Sequence, residues 1–365
     1  MMTRERDEER SAGTRARAWL WLGAWAVATL ALVGVATSPD PNPPFVPPPG
    51  ATSDQDYFRH VVERVRGGES FHDAAHVELL THGYPSRSVF NWRTPVYAWV
   101  FAALPNGQWC RALLCLGVAV TILLWSRILL ADVGLWAGTL GVLALVGAMG
   151  WCVGTLNYLF TEVWAGMLLA LSLALRRSGW RGAAVAAGLS ALFLRELALP
   201  FVLLSAWFAW RERRRVEALA WGIGTAGFVL LMFVHAQIVA GRMTSVDQAI
   251  TGGWVRFGGL RFVLQTSQTN VFLMGPPLWV TAIVLPIAIV GLLHATTDDG
   301  RLLAATVVTY LAAFSLVGAP FNFYWGFLIA PSLAIGIAWA PSAFTRLLNE
   351  ALPRFSTNAR ADLPA

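Results

Sequence analysis

The chain has 365 residues, of which 56% are hydrophobic and only 13% are charged, and its mean hydropathy is +0.56. A soluble protein of this length could not bury so much apolar surface, so the composition excludes an ordinary soluble enzyme and predicts an integral membrane protein. All 27 basic residues are arginines, which we attribute to a GC-rich bacterial genome and to topology-setting loops, so the net charge of +6 gives no reason to expect nucleic acid.

The first apolar run extends over residues 18–37 and follows five arginines. Its length of 20 residues exceeds that of a usual signal-peptide core, so we predict a retained first span behind a cytoplasmic N-terminal tail, residues 1–17.

Hydropathy predicts an all-α, polytopic fold with about ten transmembrane helices in a membrane domain of residues 18–345. The segment 93–107 is short and ends at a Pro-Asn-Gly turn, so we interpret it as re-entrant or interfacial. The placement of the arginines predicts that both termini, including a C-terminal tail of residues 346–365, lie on the cytoplasmic side of a bacterial inner membrane. The ten spans lie near 18–37, 109–130, 133–151, 157–175, 181–194, 197–210, 216–240, 272–294, 301–319 and 322–341.

Two outer loops, residues 38–93 and 242–270, are long enough to hold a site. The first begins with a proline-rich stretch that must be extended, and continues with residues 53–65. Apolar residues recur there with the period of a helix, whereas Asp56 and His60 fall on another face, so we predict an amphipathic surface helix. The second loop contains aromatic and arginine residues, among them Trp254, and is predicted to be interfacial.

The acidic pair Asp54 and Asp56 opens this surface helix, and its residue types allow two interpretations. Ser53 could cap the helix with Asp56 as its capping-box partner, while the helix dipole favours Asp54, which would make both carboxylates local structure. Alternatively, an exposed carboxylate just beyond the first span could act as a catalytic base.

The first loop resembles the GT-C class of polyprenyl-phosphate-sugar-dependent glycosyltransferases. The resemblance rests on Asp54 with Tyr57 three residues later, and on the run Gly67-Gly68-Glu69-Ser70-Phe71 about a dozen residues on. His72-Asp73 stands where the class often has an aromatic-Asp pair, and residues 90–95 are similar to the start of the next membrane segment in such enzymes.

The resemblance implies transfer of a sugar from a polyprenyl-phosphate donor to a lipid, glycan or protein acceptor at the outer membrane face. In that class an outer-loop carboxylate is thought to remove the proton of the acceptor hydroxyl, a role that falls first to Asp54 and second to Asp56. The two carboxylates could also share a divalent cation with the donor phosphate, and this cation is the one cofactor that the sequence suggests.

Further substrate-binding candidates lie at the predicted outer ends of the spans or in the first loop. Arg195 suits a leaving phosphate because its guanidinium forms bidentate hydrogen bonds, but it could instead be an interfacial residue or the ion-pair partner of Glu162. Other candidates are explained equally well as aromatic residues of the membrane-interface belt or as arginines whose side chains extend to the interface. The candidates are Tyr57, His60, Arg93, Glu162, Arg195, Glu196 and Tyr324.

We predict no metal site, because the first-loop histidines, with Asp73 and Glu78, have no spacing typical of a defined ligand set. Two other functions stay open. A transporter or flippase of a lipid-linked or small polar substrate would need ionisable groups deep inside spans, and a non-catalytic membrane scaffold would tolerate loss of the acidic pair.

Overall fold

The computed structural model describes residues 2–40, 53–249 and 256–352, with residues 2–11 as backbone only. Regular structure within these residues is helical. The α-helices are α1 (Met2–Thr37), α2 (Asp54–Arg66), α3 (Phe71–Thr81), α4 (Val89–Trp92), α5 (Pro95–Ala103), α6 (Gly107–Met149), α7 (Thr161–Arg177), α8 (Arg181–Leu194), α9 (Leu199–Arg211), α10 (Arg215–Arg242), α11 (Gly259–Ser267), α12 (Val271–Met274), α13 (Leu278–Leu293), α14 (Asp298–Leu316) and α15 (Ala330–Ala351). Single 3-10 turns occur at Gly150–Val153, Asn157–Leu159 and Glu196–Ala198, and a longer 3-10 segment runs over Pro320–Leu328.

Four helical stretches in the described residues are long and apolar enough to cross a membrane. A fifth crossing would combine Pro320–Leu328 with α15, two segments that meet at an angle of 62°. The prediction of a helical membrane protein is thus confirmed, whereas the count of about ten spans stays a prediction. The four stretches are Ala12–Thr37, Gly107–Val153, Arg215–Arg242 and Asp298–Leu316.

Helix α6 is interrupted at Gly134, whose φ of +76° lies in the region that favours glycine. The stretch from Gly107 to Val153 has 47 residues and would extend for about 70 Å if straight, over twice the apolar thickness of a bilayer. Gly134 is the second residue of the span predicted at 133–151, so the structure divides this stretch within a few residues of the predicted boundary.

Helix α7 lies at the centre of the bundle and is buried on nearly all sides. A helix that is apolar all round must be enclosed by other helices, and α7 packs against α6, α8 and the 3-10 segment Pro320–Leu328. Gly166 makes the last contact possible, because a side chain there would collide with the backbone carbonyl of Phe327. The close approach fixes the 3-10 segment over the first turns of α7.

The first loop forms a layer of short helices against one end of the bundle. Helix α2 buries Tyr57, Phe58, Val61 and Val62 against α3 and α5, which confirms the predicted amphipathic helix. The side chain of Gln55 adds a hydrogen bond of 3.1 Å to Asn157, just before α7. Helix α2 is thereby held to the bundle through both its apolar face and its polar face.

The opposite end of the bundle is closed by a buried ion-pair network around Arg176, the second-last residue of α7. Its guanidinium binds Glu212 at 2.6 Å and Asp299 at 2.7 Å, and also contacts Glu217. These partners come from α10, α14 and the turn after α9, so one arginine ties four parts of the chain together.

Several predictions concern residues outside the described part of the chain, namely most of the proline-rich stretch and Trp254. Helix α1 includes residues 2–17 of the predicted tail, and α15 continues six residues past the predicted boundary at 345. The assignment of either end to the cytoplasm stays a prediction.

Candidate functional site

Ser53 caps α2 through a reciprocal capping box with Asp56. The Ser53 hydroxyl accepts a hydrogen bond from the Asp56 amide at 3.2 Å, and the Ser53 amide donates to the Asp56 carboxylate at 3.3 Å. Arg59 adds an ion pair to the same carboxylate at 2.7 Å. The hydrogen bond from the Ser53 side chain, assisted by Arg59, holds the pKa of Asp56 below its ordinary value. The capping interpretation therefore describes Asp56 well.

Asp54 has a different partner, the hydroxyl of Tyr84, which donates a hydrogen bond to its carboxylate. Tyr84 lies beyond α3, in the turn His82-Gly83-Tyr84-Pro85, and its ring packs edge-on against the ring of Tyr57 at 5.5 Å. Burial and the Asp54 charge raise the pKa of Tyr84 above its usual range, so the phenol keeps its proton and donates it. The structure thus orients the Asp54 carboxylate but leaves it partly exposed.

The backbone of Arg93 is left-handed, with φ of +65°, a conformation that costs a non-glycine residue about 1–3 kcal/mol. Its two neighbours hold it there. The buried Trp92 indole donates to the carbonyl of Ser86 at 2.7 Å, and the Thr94 hydroxyl donates to the carbonyl of Phe193 at 2.8 Å. The second bond satisfies one of the unpaired carbonyls at the end of α8, two residues before Arg195. The same contact therefore brings the two arginines to one place.

Arg93, Glu162, Arg195 and Glu196 form a buried cluster, the charge quartet. The guanidinium of Arg195 binds Glu162 at 2.8 Å and Glu196 at 2.6 Å, and its side chain is 1% exposed. Glu162 lies in the first turn of α7, where the helix dipole also favours a carboxylate. This confirms the Glu162–Arg195 pairing that the sequence left open.

Arg93 lies farther from the same carboxylates, at 3.9 Å from Glu162 and 4.0 Å from Glu196. Its guanidinium also lies over the ring of Phe58, at 5.8 Å from the centroid, and donates to the hydroxyl of Tyr324 at 3.4 Å. Burial alone would lower the pKa of Arg93, but Tyr324, the two glutamates and Asp54 outweigh it and raise that pKa. Arg93 is therefore a permanent cation with only long contacts to anions.

Tyr324 completes the site from the 3-10 segment that rests on Gly166. Its hydroxyl donates to the Asn322 side chain at 3.3 Å, and its ring packs on Phe160 at 5.8 Å, just before α7. Tyr324 and Arg93 come from opposite ends of the sequence, 231 residues apart, and meet through the packing of α7.

The structure brings together five of the residues predicted from sequence: Arg93, Glu162, Arg195, Glu196 and Tyr324. Asp54 lies close enough for its charge to influence Arg93. Asp56 faces Ser53 and Arg59 instead, and Tyr57 is buried beneath α2 with its pKa raised by burial. Tyr84 was missed, because the only signal in the sequence is its place in a Gly-Pro turn.

His60 belongs to a second cluster, with Glu78 and His82. One carboxylate oxygen of Glu78 lies 3.5 Å from the Nδ1 atom of each histidine. Among the His, Cys, Asp and Glu side chains of the described residues, these three form the group whose ligand atoms lie close enough together to hold a metal ion. In the structure the carboxylates of Asp54 and Asp56 bind different partners, Tyr84 and Arg59. A cation shared by the two carboxylates stays a prediction.

A cavity of about 410 Å³ opens beside the site, between α4 and the last turns of α10. It is mostly apolar, with Arg87 at its wall. Its other lining residues are Val89, Ala236, Val239, Ala240, Met243 and Thr244. Helix α4 leads from this cavity to Arg93, since Val89 on the cavity wall comes four residues before Arg93 in the chain.

No protein-family model matches the sequence, and no curated protein matches it at a significant level. The structure of ArnT from Cupriavidus metallidurans bound to undecaprenyl phosphate matches with a TM-score of 0.50 and 16% identity, over 90% of this chain and 62% of that chain. The chain shares its fold with ArnT. The apo structure of ArnT gives a TM-score of 0.48 and 14% identity, over 91% of this chain and 62% of that chain.

ArnT is a GT-C glycosyltransferase, so the resemblance that the first loop predicts is confirmed at the level of the fold. The chain spans about 62% of the length of the ArnT chain. At 16% identity the likeness concerns the fold alone.

Proposed function

We propose that this chain is a membrane glycosyltransferase that moves a sugar from a polyprenyl-phosphate carrier to the hydroxyl of an acceptor. The observation that carries the proposal is the placement of an oriented carboxylate, Asp54, beside a buried arginine, Arg93, whose charge is only partly neutralised. Sugar transfer from a lipid phosphate needs one group of each kind. The ArnT structure with undecaprenyl phosphate supports a carrier of this class.

Asp54 acts as the general base. The acceptor oxygen attacks the anomeric carbon and forms the new glycosidic bond, while the bond from that carbon to the phosphate oxygen breaks. The acceptor proton passes to the Asp54 carboxylate, and the electron pair of the broken bond goes to the phosphate. The hydrogen bond from Tyr84 holds the carboxylate in one orientation during this transfer.

Arg93, and not Arg195, receives the departing phosphate. The two terminal nitrogens of Arg195 already bind Glu162 at 2.8 Å and Glu196 at 2.6 Å, and its side chain is 1% exposed, so its charge is compensated and shielded from an incoming phosphate. Arg93 keeps its shortest carboxylate contact at 3.9 Å and is 15% exposed. A guanidinium with such long contacts can turn toward a phosphate and form charge-assisted bonds. Arg195 then holds Glu162 and Glu196 in place.

The proposal includes reaction at the outer face of a bacterial inner membrane, with both termini in the cytoplasm. A lipid-linked donor suits that face because it needs no nucleotide sugar. The apolar cavity beside α4 offers room for the hydrocarbon part of a lipid substrate next to Arg93. The acceptor class is a lipid, a glycan or a protein.

The proposal is tested with purified protein in lipid nanodiscs and a panel of polyprenyl-phosphate sugars. We expect one donor to raise the melting temperature and to release polyprenyl phosphate when an acceptor extract is added. Arg93→Gln should weaken both effects, whereas Arg211→Gln, an exposed arginine at the far end of α9, should leave both unchanged. A panel without any donor-dependent stabilisation or release would contradict the proposal.

A further inference from the structure

His60, Glu78 and His82 join α2 to the end of α3, beneath the turn that carries Tyr84. His60 lies on α2 and is 40% exposed, whereas Glu78 and His82 are 9% and 2% exposed at their side chains. The sequence spaces these residues 18 and 4 positions apart, and only the packing of α2 on α3 brings them together. This cluster is separate from the charge quartet and takes no part in the proposed transfer.

The distances in the cluster are those of ligands around one ion. Each histidine Nδ1 lies 3.5 Å from the same Glu78 oxygen, which is longer than a good N–H···O hydrogen bond. Zinc binds histidine nitrogen and carboxylate oxygen at about 2.0–2.2 Å, so two ligands of a tetrahedral zinc ion are about 3.4 Å apart. The ligand atoms of the three side chains all lie within 4.8 Å of one another.

The Oε2 atom of Glu78, which faces the two histidines, has no close ion pair with an arginine among the described residues. Arg64 reaches the other oxygen of Glu78 at 3.5 Å, while its Nε and Nη2 atoms bind Glu69 at 2.8 Å and 2.9 Å. A buried carboxylate is costly unless it is paired or bound to a metal. The Nε2 atom of His82 is also buried, and no described group forms a hydrogen bond with it.

We propose that His60, Glu78 and His82 bind one zinc-class divalent metal ion. Two imidazoles and one carboxylate form a ligand set that zinc uses elsewhere, with water in the fourth position, and the exposed His60 leaves room for that water. Coordination through the Nδ1 atom of His82 replaces the 2.8 Å contact of that atom with the Glu78 carbonyl, and the ring proton then lies on Nε2.

The bound metal stabilises the part of the first loop that holds Asp54. The ring of His82 stacks on Tyr84 at 6.3 Å and meets the edge of Tyr57 at 6.2 Å. Fixing His82 to α2 restricts the turn from which Tyr84 donates to Asp54. The metal is thus a clip between two helices, and its presence does not depend on any sugar transfer.

The experiment strips the purified full-length protein with a chelator, adds zinc ions alone, and measures bound metal by mass spectrometry and the melting temperature. His294→Gln is a matched control, because His294 also ends a helix and bonds the carbonyl four residues earlier, at 2.9 Å, but is not part of the cluster. We expect one zinc ion per wild-type chain and per His294→Gln chain. His82→Gln and Glu78→Gln should weaken binding at least about tenfold and lose the zinc-dependent rise in melting temperature.

His60→Ala keeps the proposal testable if the buried variants fail to fold, since His60 is the exposed member of the cluster. It should also lose the metal. Less than one zinc ion per wild-type chain would overturn the proposal, and so would His60→Ala binding zinc as tightly as the His294→Gln control. In either case the histidines would be ordinary polar neighbours of Glu78.

Discussion

Arg93 and Arg195 share the same two carboxylates at unequal distances. Arg195 lies within 2.8 Å of both Glu162 and Glu196, whereas Arg93 stays at 3.9 Å and 4.0 Å. The difference divides the work between the two cations. Arg195 neutralises the two carboxylates, and in the proposed function Arg93 retains charge for the departing phosphate.

Replacing Arg195 should therefore reduce stability. Arg195→Met leaves Glu162 and Glu196 buried without their short partner, and the loss of one member of a buried ion pair costs about 3–5 kcal/mol. Arg242→Met removes a half-exposed pair with Asp73 and should cost about 1 kcal/mol or less. The measurement is denaturant unfolding in detergent micelles. Equal stability losses for the two variants would show that the quartet is not a buried ion pair.

Tyr84 should influence turnover more than donor binding. Tyr84→Phe removes the hydrogen bond to Asp54, and a bond to a charged group is worth about 1.5–3 kcal/mol, which corresponds to about ten- to hundredfold in rate. Tyr97→Phe is the matched control, because the buried Tyr97 hydroxyl has no hydrogen-bond partner among the described groups. Kinetics of both variants decide the matter, and a Tyr84→Phe enzyme as fast as the control would remove Tyr84 from the account.

Gly166 should be needed for the position of Tyr324. A Cβ there would collide with the carbonyl of Phe327, so Gly166→Ala must displace the 3-10 segment at a cost of about 1–3 kcal/mol. Gly222→Ala, at an open position of α10, should be neutral or slightly stabilising. Melting temperatures of the two variants give the comparison, and unchanged stability in Gly166→Ala would contradict the close packing of α7.

His72 should make the first loop sensitive to acid. Burial, with the nearby His235 and Arg242, lowers the pKa of His72 to about 4 from an ordinary value of 6.5, and Asp73 opposes this only weakly. The unfolded chain then binds more protons than the folded chain between these values. Stability from this group is complete above about pH 6.5 and decreases as pH falls toward 4.

The melting temperature measured from pH 7.5 to pH 4 tests this effect. His72→Gln should show a smaller decrease over that range than the wild type, because its side chain cannot take up a proton. The Nε2 atom of His72 lies 2.9 Å from the Nδ1 atom of His235, which places the His72 ring beside a second, buried imidazole. Parallel melting curves for both proteins would show that His72 does not control the acid response.

Local features of the site could be predicted from sequence. The capping box at Ser53 and Asp56 needs only residues three positions apart, and the buried face of α2 follows from helical periodicity. The pairing of Glu162 with Arg195 is one of three interpretations that the sequence leaves open for Arg195. An unpaired charge beside an apolar span costs free energy, so Glu162 and Arg195 are expected to pair with an opposite charge.

Features that depend on distant packing could not be predicted. The left-handed backbone of Arg93 is held by Trp92 and Thr94 through contacts with other segments, and nothing in its own sequence requires it. The hydrogen bond from Tyr84 crosses 30 residues. The histidine cluster likewise depends on how α2 packs on α3, since its spacing matches no defined set of metal ligands.

In the proposed transfer Asp54 acts as the base. A comparison of variants at Asp54 and at Asp56 decides whether it does. Asp54→Asn and Asp56→Asn are measured for donor-induced stabilisation and for release of polyprenyl phosphate in nanodiscs. We predict that Asp54→Asn still binds the donor but loses turnover by about 10²–10⁴-fold, whereas Asp56→Asn mainly loses about 1 kcal/mol of helix capping. Full turnover in Asp54→Asn, or an equal loss in both variants, would contradict the account.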